Sequence, residues 1–356
     1  MIIRLACKLF DEDSKYFLNP ILISRKIKKV ILYRDTQPLH LKSDIYDKLE
    51  GVYNNTILKF LIRLFRIIND KKPDLYIGIY EIPHGLFALI GSWFNNKPSV
   101  VSIIGNPRFK IRNKGFRKYL TNYIYKSATV LTVTGSESKN FLINKKSISS
   151  EKIFILPNSI STEKYKPIYI EKKYDLITLG RLSPEKGLYK LIDIIYILKK
   201  KIPNISVAIA GCGPIYDNLD IYIKKLGLKN NIRLLGYVTN SVKFLNQGKL
   251  FITTSFSEGL PRSVIQSMAC KTPVIATDVG DMKDVIINGK TGYLINRTDS
   301  NEKIAEETYK ILISDKSREF FASNSYKHIN LYFTHEAAKK VWEKIFKYLN
   351  CQKIEK

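Results

Sequence analysis

Three short stretches in the second half of the chain combine glycine with charged or hydroxyl side chains, and each directly follows an apolar run. They are GRLSPEKG from residue 180, GCGP from residue 211 and SFSEGLP from residue 255. In the first, Arg181 and Lys186 flank a Ser–Pro pair that suits a helix N-cap and first position. Two cations beside a helix N-terminus predict a pocket for a diphosphate. Each cation taken alone is also typical of a solvated surface.

The third stretch continues as EGLPRSVIQ, residues 258–266, which places a carboxylate before a predicted helix and an amide within it. Pro261 suits the first helical position. Glu258 then lies below the free N–H groups, where it can meet a sugar hydroxyl or a developing positive charge; the alternative is a simple cap. Gln266 shares the polar side of the helix with Arg262 and Ser263, and it can reach a second ligand group unless it is merely solvated. The predicted core-facing positions are Val264, Ile265, Met268 and Ala269.

Two further features border the same predicted site. Gly211 and Gly213 lack a Cβ atom, so the backbone of GCGP can approach a ligand closely. This is not a full G-x-G-x-x-G, and no acidic residue ends the next strand, so a dinucleotide site is disfavoured. Tyr237 follows the next apolar run and can stack on a nucleobase. A rim tyrosine in a chain with 22 tyrosines is equally typical of ordinary packing.

The elements that position these residues alternate regularly from residue 174 onward. The apolar runs YDLITL, ISVAIA, NIRLL, LFITT and PVIAT are separated by amphipathic stretches, which predicts βα units and a doubly wound parallel sheet. Each run ends in a loop rich in glycine or polar residues. Because loops at the carboxyl ends of parallel strands border the ligand crevice, five such loops are expected to converge on one site.

The first half predicts a second α/β domain. Its strand candidates are KKVILYRD, PDLYIGIYE, PSVVSIIGNP, ATVLTVTGS and KIFILPNSI, with the last strand ending at Asn158 and a helix over residues 54–70. The charged, proline-broken stretch STEKYKPIYIEKKY predicts an interdomain linker. We therefore predict domains at 1–165 and 166–333. A final amphipathic helix follows over 334–356, with Thr334 as its N-cap and Trp342 and Phe346 on its apolar face.

Composition narrows the class of protein. A length of 356 residues and 45% hydrophobic content indicate two globular domains. The net charge of +27 predicts affinity for polyanions or an anionic membrane surface, with a general lysine-rich bias as the alternative. The four cysteines are too dispersed for a metal or disulfide framework, and no apolar run reaches the roughly 18 residues needed to span a bilayer. We expect a cytoplasmic protein, free or peripheral on the inner face of the membrane.

The order G-R-L-x-x-E-K-G, A-G-x-G-P, then E-G-x-P and M-A-x-x-x-P-V-I-A-T-D-V-G closely resembles glycosyltransferase family 4. The resemblance covers roughly residues 153 to 295 and includes LPNSISTEKYKP. It implies a retaining, nucleotide-sugar-dependent enzyme with the GT-B fold, in which two Rossmann-like doubly wound domains face each other across a cleft. It also implies that the C-terminal helix crosses back onto the N-terminal domain.

The resemblance assigns roles to individual residues. Arg181 and Lys186 would hold the donor diphosphate, and Glu258 would lie by the donor sugar. The second glutamate of the family's Glu-x7-Glu signature, which binds ribose hydroxyls, falls on Gln266, so weaker nucleotide affinity is expected. Asp281 and Ser159 replace glycines that are common in relatives. The expected donor site comprises Gly180, Gly211, Gly213, Tyr237, Gly259, Leu260, Ser263, Val264 and Gln266.

The N-terminal domain departs further from the family. KLFDEDSK follows the first strand where relatives have a glycine-rich loop, and Ile104 replaces a usual histidine. His84, at a predicted helix start, is then the candidate catalytic histidine of the cleft, with a structural role as the alternative. The basic and aromatic stretch at 106–118 could hold a lipid diphosphate or the membrane face, or be a solvated loop.

The expected activity is transfer of a sugar from a nucleoside-diphosphate donor to a glycan or lipid-linked acceptor in cell-surface polysaccharide synthesis. No cofactor or metal is expected; DED at 11–13 lacks the strand context of a metal-binding D-x-D motif. The rivals are a sugar-nucleotide epimerase or a glycan phosphorylase on the same architecture. A basic nucleic-acid or lipid-binding protein would leave the glycine loops unexplained, so no nucleic-acid partner is expected.

Overall fold

The computed structural model describes residues 1–7, 11–24, 26–33, 65, 67–69, 73–108 and 115–354. The chain divides into two compact units, Met1–Ser159 with His335–Lys356, and Ile160–Thr334. Most of the predicted helix over 54–70, the start of KLFDEDSK and residues 109–114 of the basic stretch lie outside the described residues; residues 65 and 67–69 of that helix are helical.

The first division falls at Ser159 rather than at the predicted residue 165. The physical reason is that apolar side chains of the predicted linker are buried in the second unit. Ile160 is fully buried, and its N–H donates to the Phe333 carbonyl at 2.9 Å. Tyr165 is also buried, with its hydroxyl 3.1 Å from Ser241 Oγ. The start of the stretch is therefore anchored to the second unit.

The first unit contains a parallel sheet in the order β2-β1-β3-β4-β5-β6. Its strands β3 and β4 are buried along their whole length, as expected for a parallel sheet covered on both faces. Strand β6 ends at Ile155, earlier than the predicted Asn158. The strands are β1 (Ile2–Ala6), β2 (Lys29–Tyr33), β3 (Leu75–Ile79), β4 (Ser99–Ile103), β5 (Val130–Val133) and β6 (Ile153–Ile155).

Helices follow the strands of the first unit. A π-helical turn, Glu81–Gly85, links β3 to the next helix, and a 3-10 turn, Ser150–Lys152, precedes β6. The helices are α1 (Asp11–Leu22), α2 (Leu86–Phe94), α3 (Gly115–Ser127) and α4 (Ser136–Lys146).

The second unit contains a parallel sheet in the order β12-β11-β10-β7-β8-β9. All five strands predicted for this half are present; β12, a three-residue strand, was not predicted. Counted within the unit this is the order 6-5-4-1-2-3, so the winding direction reverses between β7 and β10. The strands are β7 (Tyr174–Leu179), β8 (Val207–Ala210), β9 (Ile232–Gly236), β10 (Gly248–Thr253), β11 (Val274–Thr277) and β12 (Tyr293–Ile295).

Seven helices accompany this sheet within the described residues, and a 3-10 turn, Pro184–Lys186, follows β7. Leucine and isoleucine side chains from the first helix pack on the sheet and dominate the core. The helices are α5 (Leu188–Lys199), α6 (Tyr216–Lys225), α7 (Ser241–Asn246), α8 (Arg262–Ala269), α9 (Met282–Val285), α10 (Asn301–Ile313) and α11 (Asp315–Tyr332).

The last helix, α12 (His335–Ile354), packs into the core of the first unit. Its apolar face is buried there, and the ring of Trp342 makes an edge contact with Phe17 at 5.7 Å between centroids. The buried side chains are Ala338, Trp342, Ile345, Phe346 and Leu349. Among the described residues, no helix combines the length and apolar composition needed to cross a bilayer.

Candidate functional site

The central feature of the second unit is an ion pair between residues 72 positions apart in sequence. Lys186 Nζ lies 2.5 Å from Glu258 Oε1, and the two side chains are 23% and 12% exposed. Lys186 follows β7 and Glu258 follows β10, and these strands are hydrogen-bonded neighbours. The pair therefore lies at the carboxyl ends of the two strands between which the winding reverses, where doubly wound sheets bind ligands.

Backbone contacts hold the two loops in register. The N–H of Phe256 donates to the Glu185 carbonyl at 2.8 Å, and Thr254 Oγ1 donates to the Gly187 carbonyl at 2.9 Å. Gly187 has φ of +63°, and a Cβ atom there would lie 2.2 Å from the Thr254 carbonyl oxygen. Only glycine combines this backbone conformation with this approach, so the position of Lys186 over Glu258 depends on its neighbour.

The helix starts differ from those predicted. Ser183 and Pro184 begin a 3-10 turn, and α5 starts only at Leu188, after Gly187 in the left-handed conformation. Lys186 is thus on the turn and not on the helix. Pro261 is the N-cap of α8 rather than its first residue, because its ψ of 125° is extended. Ser263, in the first turn of α8, lines the same pocket as Glu258.

A small pocket in the second unit is lined by some of the residues predicted to bind the donor. It contains five predicted residues: Gly180, Arg181, Lys186, Glu258 and Ser263. The other residues lining it are Thr178, Leu179, Leu182, Leu188, Ala210 and Thr253. The pocket, of about 10 Å³, thus joins two cations, a carboxylate and the first turn of a helix, and these are groups that bind phosphates and sugar hydroxyls.

Arg181 is exposed, so its guanidinium can turn toward a ligand. The neighbouring Glu185 accepts a 2.5 Å hydrogen bond from Ser183 Oγ. Burial raises the pKa of the Glu185 carboxyl, but this bond, its own backbone N–H and the charges of Lys186 and Arg181 lower it overall. Glu185 therefore stays ionised and offsets part of the positive charge at the pocket rim.

Gly211 and Gly213 lie against another loop of the protein. A Cβ atom on Gly211 would lie 1.7 Å from the Gly180 carbonyl oxygen, and one on Gly213 would lie 2.1 Å from that of Leu182. The Leu182 N–H also donates to the Cys212 carbonyl at 2.9 Å. These glycines therefore let two loops of the protein approach each other, which shapes the pocket without lining it.

Four other predicted donor residues differ in what they can offer. Val264 and Leu260 are buried, so they can contribute backbone groups only. Gly259 accepts a 2.9 Å hydrogen bond from the Asp281 N–H, which fixes the loop after β10. Tyr237 is largely exposed at the end of β9 and does not line the pocket.

Gln266 is buried, with only 9% of its surface exposed, so the alternative of a solvated helix residue is wrong. It does not line the pocket with Glu258. An uncharged amide costs less to bury than a carboxylate, which would need a partner at this depth. Glutamine in place of the family's glutamate therefore lowers the cost of burying the side chain at position 266.

His84 lies in the first unit and is buried at 5% exposure within the turn Glu81–Gly85. Its carbonyl oxygen would be 2.4 Å from a Cβ atom on Gly78, so the turn packs tightly onto β3. The neighbouring Glu81 accepts a 2.6 Å hydrogen bond from the buried Tyr125 hydroxyl. This environment favours the structural alternative for His84, and we do not retain it among the candidate catalytic residues.

Ser255 is a site residue that sequence reasoning missed. Its side chain is fully buried, its Oγ donates to Glu258 Oε1 at 2.8 Å, and it lies 3.0 Å from Thr253 Oγ1. Glu258 Oε1 is therefore held by Ser255 and Lys186 together. The S-x-x-E spacing directly after an apolar run was a usable signal, because a serine three residues before a carboxylate can reach it across a turn.

Comparison with known proteins agrees with this geometry. The family described as Glycosyl transferases group 1 matches residues 160–328. The glycosyltransferase MJ1059 of Methanocaldococcus jannaschii is 30% identical over 76% of this chain and 70% of its own length. The capsular polysaccharide biosynthesis glycosyltransferase CapM of Staphylococcus aureus is 25% identical over 81% of this chain and 79% of its own.

Among solved structures, Anabaena HepE in complex with UDP-glucose superposes with a TM-score of 0.84 at 16% identity. The match covers 98% of this chain and all of that one. At this identity the likeness shows the fold. The chain therefore belongs to the Glycosyl transferases group 1 family, and its two parallel-sheet units have the GT-B fold.

Proposed function

We propose that this glycosyltransferase moves a sugar, with retention of anomeric configuration, from a nucleoside-diphosphate sugar to a glycan acceptor, as a member of glycosyltransferase family 4. The observation that carries the proposal is the Lys186–Glu258 pair at the winding reversal of the second unit, with Arg181 and Ser263 in the same pocket. The relatives support this proposal, since HepE was solved with UDP-glucose and CapM is a glycosyltransferase of capsular polysaccharide biosynthesis.

Each residue of the pocket has a defined task in this proposal. Lys186 and Arg181 stabilise the negative charge that develops on the departing diphosphate. Glu258 accepts hydrogen bonds from the donor sugar and orients it. A diphosphate would compete with Glu258 for Lys186, so donor binding replaces one ion pair by another and leaves Glu258 available to the sugar. The first-turn N–H groups of α8 add uncharged donors on the same side.

The cationic donor set accounts for diphosphate binding with protein groups alone, and we propose a reaction without a resident metal or cofactor. We also propose that the acceptor is a growing glycan, free or lipid-linked, and that the enzyme acts at the inner face of a membrane. The support is the charge of +27 and the polysaccharide context of CapM. An epimerase would instead convert a nucleotide sugar without any acceptor.

The decisive experiment combines Arg181→Ala with Lys186→Ala and measures donor hydrolysis, transfer and donor binding. The donor is first found by thermal-shift screening of UDP-, GDP- and ADP-sugars. We expect kcat/KM to fall by at least about 10²-fold, because a preorganised charge at the leaving group is lost. The matched control is Lys229→Ala with Arg233→Ala, two exposed cations of the same unit that do not line the pocket.

If transfer by the site variant equals that of the control, these residues have been assigned wrongly. Proton NMR of the product distinguishes retention from inversion. If the protein isomerises a nucleotide sugar in the absence of acceptor, the proposed transferase activity is wrong and the protein is an epimerase.

A further inference from the structure

Helix α3 presents an aromatic face that the rest of the described chain leaves exposed. Phe116, Tyr119 and Tyr123 follow one another at spacings of three and four residues, which places their side chains on one side of the helix. All three are exposed, whereas Ile124 and Tyr125 on the other side are buried in the first unit. An aromatic stripe along the solvent side of an otherwise well-packed helix is unusual for a monomeric surface.

The end of α2 extends this face. Trp93 and Phe94 are exposed there and contact each other edge to face, with centroids 5.1 Å apart. Trp93 and Tyr123 line the same groove, whose volume is about 590 Å³, together with Lys97. Two helices therefore contribute to one continuous aromatic surface. The exposed fractions of Trp93, Phe116, Tyr119 and Tyr123 lie between 62% and 79%.

The sequence segment that contains these rings carries charge of one sign. From residue 82 to residue 136 the sequence contains no Asp or Glu, although it contains eight Lys or Arg. Arg117, Lys118 and Lys126 are exposed on α3 between the aromatic residues. Elsewhere the chain contains 32 carboxylate side chains and forms many lysine–carboxylate pairs, so this segregation exceeds a uniform lysine bias.

Tryptophan, tyrosine and phenylalanine beside exposed cations match the chemistry of a bilayer interface. Their amphipathic rings lie at the level of the headgroups, and each nearby Lys or Arg gains about 1 kcal/mol at an anionic surface. A nucleic acid would also attract the cations, but rings spread over two helices and a groove favour an apolar phase under the charged layer.

We infer that Trp93, Phe94, Phe116, Tyr119 and Tyr123, with Lys97, Arg117, Lys118 and Lys126, form an aromatic–basic surface that binds an anionic lipid bilayer. This deepens the proposed location at a membrane and rests on it. Sugar transfer to a soluble acceptor tests the proposed reaction without a membrane. A failure of lipid binding therefore does not affect the test of the transferase activity, and the reverse also holds. The surface would place the first unit on the lipid headgroups.

Intrinsic fluorescence tests the contact directly, because the chain has two tryptophans and only one lies on this surface. Trp93 is exposed and Trp342 is fully buried. Vesicles of phosphatidylcholine mixed with phosphatidylglycerol should shift Trp93 emission to shorter wavelength, and brominated lipid should quench it. Trp93→Phe leaves Trp342 alone and should abolish both responses. An unchanged Trp93 spectrum with these vesicles overturns the inference.

Co-sedimentation with the same vesicles tests the charges. Arg117→Glu with Lys118→Glu should weaken binding by at least about tenfold, since two attractive charges become repulsive. Lys225→Glu with Lys229→Glu changes the net charge equally on the exposed surface of the second unit and should bind within about twofold of wild type. Equal loss in both variants, or none in the first, overturns the inference.

Tyr119→Ala with Tyr123→Ala removes rings without changing charge and should weaken vesicle binding by at least about fivefold. Tyr169→Ala with Tyr332→Ala, two exposed tyrosines of the second unit, is the control. Circular dichroism and thermal melting show which variants remain folded. Tighter binding to RNA than to vesicles, with Trp93 emission unshifted, would identify a nucleic-acid surface and overturn the lipid proposal.

Discussion

Both units place a carboxyl group at the carboxyl end of a parallel strand, but the two groups differ in access to solvent. In the second unit Glu258 and Lys186 are 12% and 23% exposed, and they line a pocket. In the first unit Glu81 is 4% exposed, bonded to the buried Tyr125, and His84 beside it is equally buried. Lys186 and Glu258 can each exchange the other for a ligand group, whereas Glu81 and Tyr125 are enclosed in the core of the first unit.

The difference shows that position on a doubly wound sheet does not by itself make a site. Both units have the topology that permits one, and access decides which group meets a ligand. A group that must exchange partners during a reaction cannot be closed into the core, because its release would leave buried polar atoms unpaired. The comparison therefore predicts opposite effects of similar substitutions in the two units.

The largest expected effect is the loss of activity in Glu258→Gln. We expect kcat/KM to fall by about 10²- to 10³-fold, because a preorganised charge at the donor sugar is removed, with little change in Tm. Glu81→Gln should show the reverse, lower Tm with nearly normal activity of the folded fraction. Steady-state kinetics and calorimetry on both variants check this. If Glu81→Gln is less active than Glu258→Gln, the distinction between an accessible and an enclosed carboxyl group is wrong.

Gly213→Ala should lower stability by about 3 kcal/mol, because its Cβ atom would lie 2.1 Å from the Leu182 carbonyl oxygen and the backbone must move. Gly180→Ala is the control, since its Cβ would meet only Lys186 Cε at 3.9 Å. Urea unfolding of both measures the difference. Equal stability of the two variants would show that the close approach of the loops is not needed.

Tyr125→Phe removes the hydroxyl that donates to the buried Glu81 and should lower the free energy of unfolding by about 2 kcal/mol. Activity per folded molecule should stay normal, because the pair lies in the core of the first unit. Urea unfolding and kinetics at a temperature well below Tm test both parts. A large loss of kcat without destabilisation would place this cluster in the reaction.

Ser255→Ala should reduce kcat/KM by roughly fivefold, equivalent to about 1 kcal/mol, since Glu258 loses one of the two groups that hold Oε1. Ser255 acts through Glu258, so the loss should appear in kcat and be largely restored in Ser255→Thr. A change confined to Tm would show that the serine only supports the fold.

The smallest expected effect is a gain in Gln266→Glu. Restoring a carboxylate should tighten binding of a nucleoside diphosphate by at most about 1 kcal/mol through a charge-assisted hydrogen bond to ribose, while burial of the charge lowers the Tm of the free protein. Calorimetric titration with UDP, GDP and ADP measures the first and thermal melting the second. Weaker binding would mean that Gln266 has a contact that the family pattern does not describe.

The sequence alone was sufficient for every strand of the two sheets except the short β12, and for placing Arg181, Lys186 and Glu258 in one site. Strand periodicity is local, and loops at the carboxyl ends of parallel strands must meet at one edge, so spacing along the chain carries this information. The helix start before Leu188 was wrong because the left-handed Gly187 is required by the approach of Thr254, a residue distant in sequence.

Only the tertiary structure decided which polar residues are accessible. No local pattern shows that Gln266 is buried, that His84 is enclosed, or that Ser255 reaches Glu258. The same holds for Gly211 and Gly213, whose missing Cβ atoms accommodate another loop of the protein. Burial and close approach depend on segments far apart in the chain, so residue type and spacing determined the chemistry available, and packing determined which of it a ligand can reach.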